Sequence, residues 1–313
     1  MLEKIVKTDE ISREEWLECR RQGIGGSDAA VIVGLNRFGS PLRLWADKHG
    51  LGGEAEETEV MRQGTDFEEY VARRWTEATG KKVRRRNYMF RNPNYPFALA
   101  DVDREVIGES AGLECKTTSV YNKSDFENGE IPPAYYVQCQ HYMAVMGYEK
   151  MYLAVLVLSK AFYHFCIKRD DAEIAALMEQ EKGWWEEYVE GDSVPGPDGS
   201  EEDGAFIRNR FPDSDGGEVF LIGREPDFER MQELDAQIKE LTSERDAIKQ
   251  GIMQEMGESS AASAPNGWTA TWKQQLSSKL DSKRLKEKYP EAYRDCNRAT
   301  TIRVFRYKKS KVK

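Results

Sequence analysis

The order of apolar and polar side chains over residues 98–119, ALADVDREVIGESAGLECKTTS, predicts two strands, 99–106 and 113–119, joined by a turn of small and turn-forming residues from Gly108 to Gly112. Upstream, Ser12 with Glu15 three places later marks the start of a helix over 12–21. In GIGGSDAAVIVG, Ser27 is placed to cap a short helix running to Val33, with Gly34 as its stop. Ser40-Pro41 opens a helix that closes at His49-Gly50. After an acidic linker, residues 59–79 set Val60, Phe67, Val71, Trp75 and Ala78 on one helical face, and Gly80 ends the run. Downstream of the hairpin a polar stretch, 117–133, reads as loop. Pro133 then begins the helix AYYVQCQHYMAVMG, on which His141 reads as a surface residue. Residues 151–158 are almost wholly apolar and predict a central strand, 162–167 a second, and 171–188 an acidic covering helix with Trp184 and Trp185. The pattern is α/β, with a mixed central sheet of at least four or five strands flanked by helices.

Residues 191–217, rich in Gly, Pro, Asp and Ser, read as a linker or long surface loop. This bounds a first domain, 1–217, from a C-terminal extension, 218–313. In the extension, residues 225–257 carry Met231, Leu234, Ile238, Leu241, Ile248 and Ile252 at intervals of three and four, interrupted by Arg245. Such a stripe serves self-association or docks on its own domain, and the sequence favours neither. SSAASAPNG reads as a flexible break before a small basic α+β tail, 268–313, with strands at 268–272 and 301–307 around a helix at 281–288.

At 313 residues, 39% hydrophobic and 32% charged, the composition is that of a globular protein. No run approaches a membrane span and MLEKIVKTDE lacks the apolar core of a signal peptide, so a cytoplasmic protein with no membrane partner is expected, in a bacterial or phage-infected cell. Cys19, Cys115, Cys139, Cys166 and Cys296 are scattered without zinc spacing and read as mostly buried free thiols. The net charge of −9 conceals an asymmetry: residues 268–313 hold 14 Lys+Arg against 4 Asp+Glu, or +10, which leaves −19 for the rest. Contacts to nucleic acid would therefore depend on local basic patches and on metal rather than on the overall field. The tail is one such patch, and its aromatics would suit base stacking. KVRRR, residues 82–86, is another, with Arg84 and Arg85 as candidate backbone contacts; it reads equally as a charged edge strand.

Strand alternation also sets out the chemistry. Glu114 and Lys116 leave one face of the second strand about 7 Å apart, and Asp101 and Asp103 share a face of the first. Two carboxylates with water completing the shell suit Mg²⁺ on a phosphate substrate, and a lysine beside them can orient a nucleophile or neutralise developing charge. That is a phosphodiester-cleaving set, although an exposed acidic hairpin with a Glu/Lys pair has the same pattern. Arg20 or Arg21 beside the Ser27 helix start would make an anion site.

The ordered blocks GIGGSDAA (23–30), GTDFEEYVARRW (64–75), ALADVDR (98–104), GLECKTTS (112–119) and YYVQCQHYMAVMG (135–147) resemble the YqaJ-like viral recombinases, the phage exonuclease family that includes phage lambda exonuclease. The resemblance covers roughly residues 12–170 and, more loosely, the remainder. It implies a restriction-endonuclease-like fold with a PD-(D/E)xK site. In that site Asp103, Glu114 and the Cys115 carbonyl hold Mg²⁺, or Mn²⁺ in its place, with Glu68 in support and Lys116 positioning the attacking water. Gln138 and Tyr142 match a site-holding QxxxY, and Gln140 the second glutamine of a QxQ. An arginine and Ser27 bind a 5′-terminal phosphate. The implied activity is 5′ to 3′ digestion of linear double-stranded DNA from its ends, leaving 3′ single-stranded tails. A ring-shaped homotrimer and a single-strand annealing partner are implied as well. Some related nucleases carry an iron–sulfur cluster, but the cysteine spacing here argues against one. The block before the first aspartate departs from the family pattern, with Val102 in place of a small residue or proline and Asp101 a second acidic candidate. A structure-specific endonuclease on the same fold and a non-catalytic DNA-binding scaffold are the competing readings.

Overall fold

The computed structural model describes residues 2–37, 39–52, 58–298 and 301–309; most of the acidic linker after Leu51 lies outside them. The chain forms two units, Met1–Arg210 and Phe211–Lys313, which divide a little before the composition change at residue 217.

In the first unit α1 (Arg13–Arg21) starts as its sequence predicts. The Ser12 hydroxyl accepts the Glu15 N–H at 3.2 Å and the Glu15 carboxylate accepts the Ser12 N–H at 2.8 Å. Ser12→Ala should cost about 1 kcal/mol in chemical denaturation. The start of α2 (Gly26–Ile32) differs from expectation. Gly25 is the cap, its N–H is taken by Asp28 at 2.9 Å, and Ser27 falls inside the first turn. A Cβ on Gly26 would stand 2.8 Å from the Tyr142 ring, so glycine here lets the helix start lie directly on its neighbour. α3 (Pro41–Lys48) begins at Ser40, and α4 (Glu59–Thr79) ends on Gly80 at φ 72°. Only part of the α4 stripe is buried: Val71, Ala72 and Trp75 are covered, whereas Val60, Phe67 and Ala78 are exposed. Gly64 already sits over Thr117 near a strand end, so the turns before it have no sheet beneath them.

The strands, in chain order, are β1 (Glu3–Lys7), β2 (Val83–Arg84), β3 (Tyr88–Asn92), β4 (Tyr95–Ala100), β5 (Arg104–Val106), β6 (Ala111–Thr118), β7 (Lys150–Val157) and β8 (Ala161–Lys168). Five form a mixed sheet in the order β2-β5-β6-β7-β8, with β6 and β7 parallel and the other pairs antiparallel; β1-β3-β4 form a second sheet. Central β7 is buried along nearly its whole length. One sheet face packs Leu113, Tyr152 and Ala154 on the buried end of α4. The other packs Met151, Leu153 and Val155 on α5 (Pro133–Met146), with α6 (Asp171–Tyr188) beyond it. The α/β class with a central mixed sheet between helices is thus as expected.

The predicted strand over 99–106 is broken. β4 ends at Ala100 in one sheet, β5 begins at Arg104 in the other, and Asp101 to Asp103 bridge them. Side-chain bonds replace the ladder here: Asp101 accepts the Trp16 indole N–H at 2.8 Å and Asp103 accepts the Cys115 backbone N–H at 2.7 Å. Two expected loops also carry structure. Residues Val120–Gly129 form 3₁₀ turns around buried Phe126. Inside 191–217 lies α7 (Glu201–Arg210), anchored by buried Phe206 and by buried Asp203, which receives the Ser40 hydroxyl.

In the second unit α8 (Glu225–Met256) runs 32 residues. The expected flexible break is partly a hairpin of β9 (Ala261–Ser263) and β10 (Thr269–Thr271) around Pro265–Gly267, followed by α9 (Ser282–Lys288) and α10 (Pro290–Cys296). No strand forms over 301–307. That stretch lacks a pairing partner and is held by side chains, Tyr307 to Asp235 and Arg303 to the Phe211 carbonyl at 3.1 Å. The five thiols are free. Cys139 is buried, but Cys166 and Cys296 are exposed, against the expectation of mostly buried thiols. No described helix is long and apolar enough to cross a membrane.

Candidate active site

β6 and α5 face each other across the site. On β6 the Lys116 ammonium lies 2.7 Å from Glu114 Oε1, as strand alternation requires. One turn apart on α5, Gln138 and Tyr142 share a face; Gln138 Nε2 donates to Glu114 Oε1 at 2.7 Å and to the Tyr142 hydroxyl at 3.2 Å. Asp103 reaches the same place from the break between β4 and β5, and Glu68 from α4. A cleft of about 550 Å³ is lined by Asp103, Glu68, Lys116, Gln138 and Tyr142, and also by Trp16, Asp101, Arg20 and Ser27. Of the two aspartates, Asp101 is turned to Trp16 and Asp103 lies against β6.

Burial raises the Asp103 carboxyl well above its ordinary pKa, and the Glu114 and Glu68 carboxylates push it further. Burial raises Glu114 too, in spite of Lys116. Burial works against the Lys116 ammonium, but Glu114 and Asp103 outweigh it and hold its pKa above the usual lysine value. Glu114 Oε2 is buried without a hydrogen-bond partner among the described residues. Crowded carboxylates with an unsatisfied oxygen are a donor set that calls for a cation. No three His, Cys, Asp or Glu side chains converge as a ready-made metal cage among the described residues. The set therefore fits a hard ion that takes one or two carboxylates and otherwise water and phosphate, as Mg²⁺ does. Cys115 enters through its backbone; burial first, then Asp103 and Glu114, keeps its thiol protonated.

Arg104, which sequence reasoning passed over, is central. Its buried guanidinium holds Glu68, pairs with Glu69 at 3.0 Å and donates to the Asp103 carbonyl at 2.7 Å. The signal was present as a lone basic residue closing the acidic run DVDRE. Asp28 and Lys48 were also missed. Arg20 Nη2 donates to the Ser27 hydroxyl at 3.1 Å and to Asp28 at 2.9 Å, and Lys48 meets the other Asp28 oxygen at 2.7 Å. Burial opposes the Asp28 charge, but the two cations outweigh it and hold its pKa below the ordinary range. Asp101 also acts on Arg20 and Asp47 on Lys48, so the charges beside Ser27 are paired. Arg21 instead pairs with Glu18 at 2.6 Å on the surface of α1, and it is Arg20 that lines the cleft.

Three expected site residues are not brought in. Two positions beyond Gln138, Gln140 points away: its amide donates to the Tyr136 hydroxyl at 2.9 Å and the Lys168 carbonyl at 3.0 Å, and its oxygen takes the Asp170 N–H at 3.2 Å. It ties α5 to the end of β8. Arg84 pairs with Glu105 at 2.8 Å on the edge strand, outside the cleft. Arg21 is the third. Arg85 does line the cleft, with Glu69 as partner at 3.0 Å. His141, expected on the surface, is fully buried between the Glu181 carboxylate and the Leu99 carbonyl.

Residues 15–149 match the YqaJ-like viral recombinase domain. The chain is 38% identical over 309 residues to the Bacillus subtilis (strain 168) protein YqaJ, covering 97% of this chain and 96% of that one. Among solved structures it is similar to the alkaline exonuclease LHK-Exo of Laribacter hongkongensis, at 20% identity and a TM-score of 0.49 over 63% of this chain and 97% of that one. It is also similar to a phage related exonuclease of Haemophilus somnus 129PT, at 14% identity and a TM-score of 0.43 over 53% and 92%. With a relative of that identity along almost its whole length, the chain belongs to the YqaJ-like viral recombinase family.

Proposed function

We propose that this protein is a Mg²⁺-dependent deoxyribonuclease with a restriction-endonuclease-like core that digests linear double-stranded DNA from its 5′ ends and leaves 3′ tails. The observation that carries the reading is that Asp103 and Lys116 line one cleft while Lys116 lies 2.7 Å from buried Glu114, whose Oε2 has no partner among the described residues. Asp103 and Glu114 would hold the ion, with the Cys115 carbonyl and Glu68 in support. When bound, it supplies positive charge at the phosphoryl oxygens where charge develops.

The chain's own groups do the rest. The Lys116 ammonium, kept charged by Glu114 and Asp103, donates to the attacking water or to a non-bridging oxygen and orients it. Gln138 fixes Glu114 Oε1, so its free oxygen faces one way, and Tyr142 supports Gln138. Arg20 and Ser27 line the same cleft, and the guanidinium and hydroxyl can both donate to a terminal 5′-phosphate, so that the bond cut is counted from the end.

The test is digestion in Mg²⁺ of linear and covalently closed duplexes, with 5′-phosphate or 5′-hydroxyl ends. Linear DNA should be degraded and circles spared, with the phosphate preferred. Ser27→Ala should reduce that preference about tenfold, as loss of a hydrogen bond to a charged group does. Equal cutting of circles would overturn the end-dependent reading and leave the nuclease; no cutting in Mg²⁺ or, in a repeat, in Mn²⁺ would overturn both.

A further inference from the structure

The β9–β10 hairpin of the C-terminal unit carries Trp268 and Trp272 on one face. Its ladder runs past the ends of both short strands: the Trp272 N–H donates to the Ser260 carbonyl at 3.0 Å and the Ala264 N–H to the Trp268 carbonyl at 2.8 Å, so residues 268–272 alternate as one strand. Alternation puts Trp268, Ala270 and Trp272 on the same face, and the register sets Ala262 across from Ala270. Two indoles rooted about 13 Å apart thus flank a floor of two alanines. Trp268 is 75% exposed and Trp272 47%, although tryptophan is a side chain that folding normally covers.

The chain that follows supplies positive charge. Lys273, Lys279, Lys283, Arg284, Lys286 and Lys288 are all exposed, and of the Lys and Arg residues described from 268 onward only Lys309 has an ion-pair partner, Glu229 at 3.3 Å. Unpaired cations in a stretch of net charge +10, residues 268–313, are complementary to a polyanion. The bare indoles say which kind. At about 3.4 Å per base, the span between them takes about three stacked bases, and an alanine floor leaves room for those bases to enter. In a duplex the bases are already stacked and paired, so their faces are closed to an indole and the occupant is single-stranded. We propose that the C-terminal unit binds single-stranded nucleic acid, with bases stacked at Trp268 and Trp272 and backbone phosphates on Lys273 and the cations after it. Where the nuclease reading holds, that strand is the 3′ tail it leaves, but the binding does not rest on that reading.

Titration of the full-length protein, in a chelator, with an oligothymidylate whose 5′ end is a hydroxyl tests this with neither metal nor terminal phosphate taking part. The wild type should bind and its tryptophan fluorescence should be quenched. Trp268→Ala/Trp272→Ala should weaken binding at least about thirtyfold, the loss of two stacking contacts, and abolish the quench. Trp268→Phe/Trp272→Phe should stay within about fivefold of the wild type, because phenyl rings stack as well. Both tryptophans are exposed, so all three proteins should share the melting of the first unit. Lys273→Gln/Lys279→Gln should flatten the slope of log K against log salt by about 1.4, as two phosphate contacts on a single strand do. No binding by the wild type, or an alanine pair that binds as the wild type does, overturns the proposal. A phenylalanine pair as weak as the alanine pair overturns the stacking, and a base-paired duplex of the same length bound as tightly overturns the single-strand assignment.

Discussion

Asp103→Asn is expected to lower hydrolysis of linear duplex DNA by at least about 10³-fold, the scale of losing a charge-stabilising group at a phosphoryl centre. The substitution suits the test because it leaves the local fold in place. An asparagine oxygen still accepts the Cys115 N–H, the bond that replaces the strand ladder between β4 and β6. What it removes is one of three crowded carboxylates, Asp103, Glu114 and Glu68, whose repulsion at Asp103 outweighs the pull of Lys116. The metal-free variant should therefore melt at or above the wild-type temperature while activity collapses, the separation expected of a site held under strain for function. Mg²⁺ should raise wild-type melting by mass action and leave Asp103→Asn unmoved, and a chelator should reverse the wild-type shift. Asp101→Asn is the control: its carboxylate is engaged by Trp16, so it should keep the Mg²⁺ shift. A variant at Asp103 that still cuts, or still responds to Mg²⁺, would remove Asp103 from the site.

The parts of this site that the sequence disclosed are those governed by a single periodicity. Glu114 and Lys116 are two apart on a strand, Gln138 and Tyr142 four apart on a helix, and in each case the observed contact follows from local geometry. The same rule argues against Gln140, two residues from Gln138 on a helix, and only family likeness placed it at the site. Less legible were contacts that depend on the packing of distant segments. Alternation alone treats 99–106 as one strand with two equivalent aspartates; the difference between them comes from Trp16, 85 residues before Asp101. KVRRR reads as a basic patch, yet Arg84 and Arg86 share Glu105 and Arg85 takes Glu69, because the edge strand pairs with β5 and lies near α4. Buried Phe206 and Asp203 sit in a segment whose Gly, Pro and Asp content reads as linker, since one anchoring aromatic does not change a composition.

The buried pair of His141 and Glu181 was the least visible feature of all, and its removal is expected to have the largest effect on stability. His141 Nδ1 lies 2.8 Å from Glu181 Oε1, Nε2 lies 2.9 Å from the Leu99 carbonyl, and both side chains are fully buried where α5, α6 and β4 meet. Both ring nitrogens face acceptors, whereas a neutral imidazole carries one N–H, so the native pair must retain a proton, on the ring or on the carboxyl. Burial lowers the His141 pKa, but Glu181 and the Leu99 carbonyl outweigh it and raise it above the ordinary 6.5; burial raises Glu181 in turn, against the pull of His141. Since the folded state binds this proton more tightly than the unfolded chain, the stabilisation is full below the ordinary histidine pKa and is lost as pH rises through the raised one. His141→Ala leaves a buried carboxylate with no partner and should cost about 3–5 kcal/mol, roughly 10 °C in melting temperature for a unit of this size. Glu181→Gln can donate to Nδ1 while Nε2–H keeps the Leu99 carbonyl, so both ring nitrogens are satisfied without a charge, and the glutamine oxygen takes the place of Glu181 Oε2, which already has no partner among the described residues. It should cost less than about 1.5 kcal/mol and flatten the alkaline decline in stability. Melting curves of the three proteins between neutral and alkaline pH decide the matter: a Glu181→Gln profile that still falls with the wild-type slope would show that the proton lost on alkalinisation belongs to another group.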